Sequence, residues 1–270
     1  MIPIRDANPT RRLPVITLAL IAANVAVFLL WQPTFGSREE QQLFFYCQAE
    51  IPWEVSDQEN LAEGGVEARR AIEEDLDRPG SGAFLQSLLQ RECPGKSWLA
   101  SIFVAMFLHG GWFHLLGNML FLWVFGNNVE DRLGYVVYPL FYVLGGLAAA
   151  GLQLAFDTSS TIPSLGASGA IGAILGAYLV LFPGARVLTL IFFFFITWIE
   201  LPAGVVLGVW FVLQFFSGVG QLGVEVGGGV AYWAHVGGFA FGALVAWVFY
   251  RRRGDIRPPA YRIPERPDSF

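Results

Sequence analysis

The sequence predicts an all-α polytopic membrane protein with six transmembrane helices and a long outer loop between the first two. Of its 270 residues, 54% are hydrophobic and only 14% are charged, whereas about a quarter of the residues of an ordinary soluble domain are charged. The apolar residues also gather in stretches that can each supply the ~20 residues of one bilayer crossing. These two observations exclude an ordinary soluble domain.

Five segments follow from the distribution of polar and apolar residues. They are a cytoplasmic N-terminal segment (1–13), a first transmembrane helix (14–31), an acidic extracytoplasmic insertion (32–97), a membrane core (98–250) and a basic cytoplasmic tail (251–270). The five further crossings are predicted within 98–125, 135–156, 167–182, 187–219 and 230–250.

Arginines at both ends of the apolar region predict the orientation of the chain. Cytoplasmic segments of membrane proteins are enriched in arginine and lysine, so both termini are predicted to be cytoplasmic and the number of crossings to be even. The loop 126–134 and the turn 183–186 then lie inside as well. No organelle presequence is recognisable, and we expect the plasma membrane of a bacterium. The arginines are Arg5, Arg11, Arg12, Arg251, Arg252, Arg253 and Arg257.

The insertion 32–97 is the one part of the chain with the composition of a water-soluble structure. It contains thirteen acidic and six basic residues, which indicates either a solvated surface or a basic partner. Residues 59–78 have helix-forming composition and are followed by Pro and Gly, which end helices. Cys47 and Cys93 can pair on an oxidising side of the membrane or stay reduced, and the sequence leaves both open.

The stretch 187–219 is too long for one straight helix, and Pro202 divides it. If both halves crossed the bilayer, the following helix would have the opposite orientation. We therefore predict that only the second half crosses. The first half is predicted to lie along the inner interface or to form a bent lead-in to the fifth span.

Polar side chains inside an apolar stretch are costly and therefore need a reason. Ser168 and His235 are predicted at the outer ends of the fourth and sixth spans. His114 and Asn118 are four residues apart, so they share one face of a helix that begins near residue 112, and His109 lies at its outer mouth. An isolated His–Asn pair more often forms hydrogen bonds between two helices. Here the second and sixth spans both place a histidine at the same outer depth as Ser168, which favours a catalytic role.

Glycines continue the helix faces that carry the serine and the histidine of the fourth and sixth spans. Each set recurs at helical spacing and forms one stripe along its helix. Such stripes let two helices approach closely, as a serine–histidine hydrogen bond of roughly 2.6–3.2 Å requires. These glycines, with those that flank the serine, are Gly166, Gly169, Gly172, Gly176, Gly238 and Gly242.

Four short motifs resemble those of the rhomboid intramembrane serine proteases. They are GASGA around Ser168, HLLGN with His114 and Asn118, AHVGG with His235, and VEDRLG at 129–134. The resemblance covers about residues 98–250 and implies a six-helix bundle with a cavity open to the outside. It implies an endopeptidase that works in the lipid bilayer on transmembrane protein substrates, without a cofactor, a metal or a nucleic-acid partner.

The resemblance also implies roles for the polar residues. Ser168 matches the nucleophile and His235 matches the general base of a dyad that has no carboxylate. The side chains of His114 and Asn118 and the Ser168 backbone N–H match the oxyanion donors. His109 matches a residue at the cavity mouth that has no chemical role.

Other positions of the resemblance are structural, and two depart from the family pattern. Glu130 and Arg132 match a structural pair in the loop after the second span. Ala100 and Ser101 stand where well-known bacterial members have a Trp-Arg pair. Gly172 stands where those members have a tyrosine that stacks on the catalytic histidine, so the group that orients this histidine is left open.

Three other functions are compatible with parts of the pattern. A catalytically silent relative would bind transmembrane clients, although such relatives generally lack the serine or the histidine. A haem protein could use His114 and His235 as axial ligands. A transporter is disfavoured because no inverted repeat and no series of buried carboxylates is visible. The sequence leaves the substrate and the oligomeric state open.

A glycine-rich loop, residues 217–229, leads into the sixth span. Its six glycines give the backbone little conformational preference, and the fifth span beside it is rich in Trp and Phe. We therefore predict that this loop and the adjoining helix end form the gate through which a substrate passes from lipid to cavity. A plain flexible connector is the alternative.

Overall fold

The computed structural model describes residues 1–192, 196–221 and 231–249, and most of these described residues are helical. The predicted tail 251–270 and residues 222–229 of the predicted gate loop lie outside the described residues. The elements are β1 (Ile2–Asp6), α1 (Val15–Ala26), α2 (Arg38–Gln48), α3 (Pro52–Asp57), α4 (Gly65–Leu76), α5 (Ser81–Glu92), α6 (Trp98–Ala105), α7 (Trp112–Phe156), α8 (Ser168–Leu181), β2 (Arg186–Phe192), β3 (Ile196–Pro202), α9 (Ala203–Gln221) and α10 (Tyr232–Phe249).

Three of the described helices, α7, α9 and α10, are long and apolar enough to cross a membrane. Two shorter apolar helices accompany them, namely α8 and α1 with the π-helical turn Val27–Trp31 that continues it. The 45-residue α7 consists of two helices joined at Gly134, whose φ of 81° is in the region that favours glycine. The predicted loop 126–134 is thus helical up to this glycine. The count of six crossings stays a prediction.

The prediction of an all-α chain is wrong at one end of the bundle, where β1, β2 and β3 form an antiparallel sheet in that order. The first half of the stretch 187–219 supplies two strands, paired from Arg186 with Pro202 to Phe192 with Ile196, and its location along the inner interface or as a lead-in to the fifth span stays a prediction. Its sequence is rich in β-branched and aromatic residues, which fit a pleated sheet better than a helix.

The sheet is fastened to the end of α8 that lies away from Ser168. Asp6 of β1 accepts hydrogen bonds from the Tyr178 hydroxyl at 2.7 Å and from the Asn128 side-chain amide at 2.6 Å. Tyr178 belongs to α8 and Asn128 to α7, and Asp6 is itself buried. The first strand of the chain is therefore tied to the helical core as well as to β2.

The insertion 32–97 folds into helices α2 to α5 around a hydrophobic cluster of its own. Cys47 and Cys93 form a disulfide with their Cα atoms 5.5 Å apart, which answers the question that the sequence left open. The insertion rests on the loop before α8, since the Trp53 N–H donates to the Ser160 carbonyl at 2.9 Å. It therefore lies at the Ser168 end of the bundle. The cluster comprises Ile51, Trp53, Leu61, Ala62, Ala68, Ile72 and Leu89.

The glycine stripes let α8 and α10 pack backbone against backbone. A Cβ added at Gly238 would overlap the carbonyl oxygen of Gly169, and one added at Gly242 would overlap that of Ala173. At Gly172 an added Cβ would lie 3.1 Å from the His235 carbonyl oxygen. This close approach is what the spacing of the small residues predicted, and it brings the two helix ends together.

The Glu130 carboxylate is buried and binds the N-terminus of α1. It accepts hydrogen bonds from the backbone N–H groups of Ile16 at 2.9 Å and Thr17 at 2.7 Å, and from the Thr17 hydroxyl at 2.7 Å. A carboxylate at this position caps the helix and complements its dipole. Among the described residues no ion pair joins Glu130 to Arg132, so the predicted pair is replaced by this cap.

Candidate active site

Ser168 is the first residue of α8, directly after a turn that only glycine adopts easily. Gly166 has a φ of 132°, and a Cβ added there would lie 2.9 Å from the His114 ring. The N–H groups in the first turn of a helix have no intrahelical partners, and the helix dipole makes this end attractive to a negative charge. The Ser168 backbone N–H is thus available to an anion beside its own hydroxyl.

The Ser168 hydroxyl and the His235 ring are joined by a hydrogen bond. Ser168 Oγ lies 2.7 Å from His235 Nε2, and His235 is only 8% exposed. The residues come from α8 and α10, which the glycine stripes bring together. A neutral imidazole at this distance can accept the hydroxyl proton, as a general base requires.

Two side chains that can donate hydrogen bonds lie one helical turn apart on α7. His114 Nδ1 accepts a hydrogen bond from the Gly110 N–H at 3.2 Å, so the ring proton of the neutral imidazole resides on Nε2. The Nε2 atom lies against Gly166, beside Ser168. Asn118, one turn further on, is buried, and its Nδ2 has no partner among the described residues. His114 can therefore donate to an oxygen near Ser168, and Asn118 carries an amide without a partner among the described residues one turn further along the same helix.

His109 lies behind His114 and not at an open cavity mouth. It is 1% exposed, and its ring packs edge-on against the His114 ring with the centroids 5.1 Å apart. The Gln32 side chain holds its backbone, donating to the carbonyl at 2.9 Å and accepting from the N–H at 3.0 Å. The expected location at the outer mouth therefore does not match its burial, and His109 supports the rear of His114.

Two residues of α9 contact His235, and neither was predicted from the sequence. Gln214 Oε1 lies 2.7 Å from His235 Nδ1, and the Trp210 ring is 5.8 Å from the His235 ring, centroid to centroid. A lone amide in an apolar span is costly, so Gln214 carried a signal that a search for polar residues in all spans would have found. Its partner could not be read from the sequence, because α9 and α10 meet only in the folded chain.

A small cavity of about 40 Å³ adjoins Ser168. Its lining includes Glu50 of the insertion and Ser164 of the loop before α8, whose backbones are bridged by a 2.7 Å hydrogen bond. Glu50 is 5% exposed, and its Oε1 has no hydrogen-bond partner among the described residues. Burial raises the pKa of Glu50 to about 7, against the opposing attraction of Lys96.

The fold and the site together define a class of protein. The chain is a helical membrane protein in which a partly buried serine at a helix N-terminus contacts a buried histidine of a neighbouring helix. A serine hydroxyl in hydrogen-bond contact with an imidazole is an arrangement that serine hydrolases also use. Here the pair lies between two closely packed helices.

The chain belongs to the rhomboid family. The family model described as Rhomboid domain matches residues 96–252, which is more than half of the chain. The family consists generally of intramembrane serine proteases. The resemblance that the short motifs indicated is therefore confirmed.

Several curated proteins are similar to this chain. Rhomboid protein 1, mitochondrial, from Saccharomyces cerevisiae is 29% identical over 174 residues, or 63% of this chain and 47% of that protein. RHOMBOID-like protein 4 from Arabidopsis thaliana is 36% identical over 145 residues, or 54% of this chain and 32% of that protein. Presenilin-associated rhomboid-like protein A, mitochondrial, from Danio rerio is 28% identical over 110 residues, or 40% of this chain and 29% of that protein. The chain thus spans less than half of the length of these relatives.

The family and the apolar helices indicate a membrane protein. The relatives come from yeast, a plant and a fish, and two of them are named as mitochondrial. They give no support to the predicted bacterial plasma membrane or to the predicted cytoplasmic termini.

Proposed function

We propose that the protein is an intramembrane serine endopeptidase that cleaves peptide bonds in or next to transmembrane segments of membrane-protein substrates. The observation that supports this function most directly is the 2.7 Å contact between Ser168 Oγ and His235 Nε2. Ser168 is the nucleophile and His235 the general base. His114, Asn118 and the Ser168 backbone N–H form the oxyanion hole.

In the proposed reaction, His235 Nε2 takes the hydroxyl proton while Ser168 Oγ bonds to the substrate carbonyl carbon. The oxyanion accepts hydrogen bonds from the three donors, which are worth most when they are already oriented in a site without bulk water. The protonated His235 then gives its proton to the leaving amine as the C–N bond breaks. A water molecule then loses a proton to His235 and attacks the acyl carbon. The bond between that carbon and Ser168 Oγ breaks, and His235 returns the proton to Oγ.

Two other functions lose support from the contacts of His235. Both of its ring nitrogens are engaged, one with Ser168 and one with Gln214, so an axial haem ligand would have to break one of these bonds. A catalytically silent relative that only binds transmembrane clients would have no need of a serine in contact with a base. The silent relative remains the alternative that the following experiment tests.

The experiment uses a fluorophosphonate probe, which reacts with activated serines, and a panel of transmembrane-segment substrates in detergent micelles. Wild-type protein is expected to be labelled and to cleave at least one substrate, and Ser168→Ala is expected to lose both. Ser101→Ala is the control, because Ser101 is a buried serine of the same chain whose hydroxyl donates to the Trp98 carbonyl at 2.7 Å and not to a histidine. Labelling that persists in Ser168→Ala would move the nucleophile elsewhere, and substrate binding without labelling or cleavage would identify a silent relative.

We also propose the predicted organisation of the chain in the membrane: six crossings, a cytoplasmic segment 1–13, an outer insertion 32–97 and a cytoplasmic tail 251–270, in a bacterial plasma membrane. The fastening of the insertion to the Ser168 end supports an outer location of the site. Fluorescent-protein fusions at the two ends, which fluoresce only in the cytoplasm, test the orientation. A dark C-terminal fusion would contradict a cytoplasmic tail, and together with a fluorescent N-terminal fusion it would contradict an even number of crossings.

The gate at α9 and the loop 217–229 is likewise a proposal. Phe215 packs against Trp233 of α10 with the ring centroids 5.9 Å apart, and Phe216 is 66% exposed. Replacing Phe215 and Phe216 by alanine is expected to loosen this contact and to raise the cleavage rate of a transmembrane substrate. An unchanged rate would indicate another entrance.

A further inference from the structure

Gln214 occupies the position next to His235 that a carboxylate holds in a serine protease triad. Its Oε1 lies 2.7 Å from His235 Nδ1, on the side of the ring opposite Ser168. An amide oxygen only accepts hydrogen bonds, so Nδ1 must carry the ring proton. The lone pair of Nε2 then faces the Ser168 hydroxyl, which is the tautomer that a general base needs.

Trp210 lies one helical turn before Gln214, so both side chains project from the same face of α9. The Trp210 ring is 5.8 Å from the His235 ring at an interplanar angle of 38°. The indole limits rotation of the imidazole while the amide fixes its proton. One face of α9 therefore contacts both the ring plane and the ring edge of His235.

Helix α8 offers no comparable support. Gly172 lies one turn after Ser168, and an added Cβ would already be 3.1 Å from the His235 carbonyl oxygen and 3.4 Å from the Phe239 nitrogen. A larger side chain there would push α8 and α10 apart. The close packing of α8 against α10 forms the serine–histidine contact but leaves no room on α8 for a side chain that orients the His235 ring. That role is therefore left to α9.

We propose that Gln214 is the positioning residue for His235, holding the Nδ1–H tautomer and directing Nε2 at Ser168. This inference rests on the proposed function. It makes the site a Ser168–His235–Gln214 arrangement drawn from α8, α10 and α9. Gln214 does not touch the substrate, and it acts only through the orientation and protonation of the ring.

The alternative is that Gln214 merely joins α9 to α10, and the chain provides a matched control for that role. Gln153 of α7 also binds α10, since its Oε1 accepts from the Ala234 N–H at 3.2 Å. Gln153→Met removes a helix-to-helix hydrogen bond of the same kind without touching the imidazole. Gln214→Met removes the acceptor at Nδ1 and keeps the side-chain length, and Gln214→Glu keeps an acceptor oxygen there.

The experiment measures kcat, KM and the pH–rate profile of all three variants on one transmembrane substrate. We expect Gln214→Met to lower kcat by about 10- to 100-fold with KM unchanged, since correct general-base action contributes about 10²–10⁴. Gln214→Glu is expected to restore kcat to within about 10-fold of wild type and to move the acidic limb of the profile to higher pH, because a carboxylate stabilises the imidazolium. Equal losses in Gln214→Met and Gln153→Met, or no recovery in Gln214→Glu, would overturn the proposal.

A spectroscopic readout separates this inference from the proposed function. The sequence has three histidines, so their ¹⁵N ring shifts in labelled protein can be assigned by substitution. We expect His235 to be the Nδ1–H tautomer in wild type and a tautomer mixture in Gln214→Met. If wild type is inactive but Gln214→Met changes the His235 tautomer, the protease function is wrong and the positioning role stands. If wild type is active but the His235 ¹⁵N shifts are the same in Gln214→Met, the positioning role is wrong and the protease function stands.

Discussion

Replacing Glu50 by glutamine is expected to stabilise the folded protein above pH 7 and to change little near pH 4.5. Glu50 is 5% exposed and has an oxygen without a partner among the described residues. Burial raises its pKa from 4.5 to about 7, although Lys96 opposes this change. Glutamine has almost the same shape and carries no charge at any pH.

The magnitude follows from the pKa difference. Each tenfold change in an acid constant is worth about 1.4 kcal/mol, so ionising Glu50 in the folded protein costs about 3 kcal/mol more than in the unfolded chain. Because the folded state holds this proton more tightly, the associated stability is fully present below pH 4.5 and is lost as the pH rises through 7. Glu50→Gln should keep that stability.

The assay is denaturant unfolding followed by tryptophan fluorescence in detergent micelles between pH 4.5 and 8.5. The difference between Glu50→Gln and wild type is expected to grow from near zero to about 3 kcal/mol. Glu67→Gln, on an exposed position of α4, is the control and should run parallel to wild type. Parallel curves for Glu50→Gln and wild type would show that Glu50 ionises at no cost, and would refute the argument from its burial.

Three further predictions concern the oxyanion donor, the helix contact and the insertion. Asn118→Ala is expected to stay folded and to lose about 10²–10³ in kcat, as single oxyanion donors do; unchanged turnover would reduce it to a packing residue. Gly242→Ala, whose new methyl would overlap the α8 backbone, should lower both thermal stability and kcat, whereas Gly117→Ala, with open space around it, should lower neither. Breaking the Cys47–Cys93 disulfide, which closes a separation of 46 residues, should destabilise the insertion by about 4 kcal/mol, measurable as faster proteolysis of α2 to α5.

The helical core was predictable because its signals are local. Stretches of apolar residues and glycines at helical spacing determine where α8 and α10 lie along the chain and how closely they pack. The contact between Ser168 and His235 followed from the same stripes. Its partner Gln214 did not, since which polar side chain of α9 meets the ring depends on the rotation of that helix in the bundle.

The errors arose where one composition is compatible with two structures. The run 187–201 is apolar enough to lie at a membrane interface, and its β-branched and aromatic residues are equally compatible with strands. The family resemblance implied a structural pair of Glu130 and Arg132, but the Glu130 carboxylate accepts hydrogen bonds from the unpaired N–H groups at the start of α1. Such a partner more than a hundred residues away leaves no trace in local sequence.

The sheet at the far end of the bundle has a consequence for biosynthesis. β1 ends at Asp6 and β2 begins at Arg186, and a ribosome adding about 5–20 residues per second needs roughly 9–36 s to make the chain between them. During that interval β1 has no strand to pair with, and Asp6 lacks the hydrogen bond from the Tyr178 hydroxyl. The N-terminal strand can therefore pair only after most of the bundle has been synthesised. Formation of the sheet is thus a late step that follows synthesis of the helices between β1 and β2.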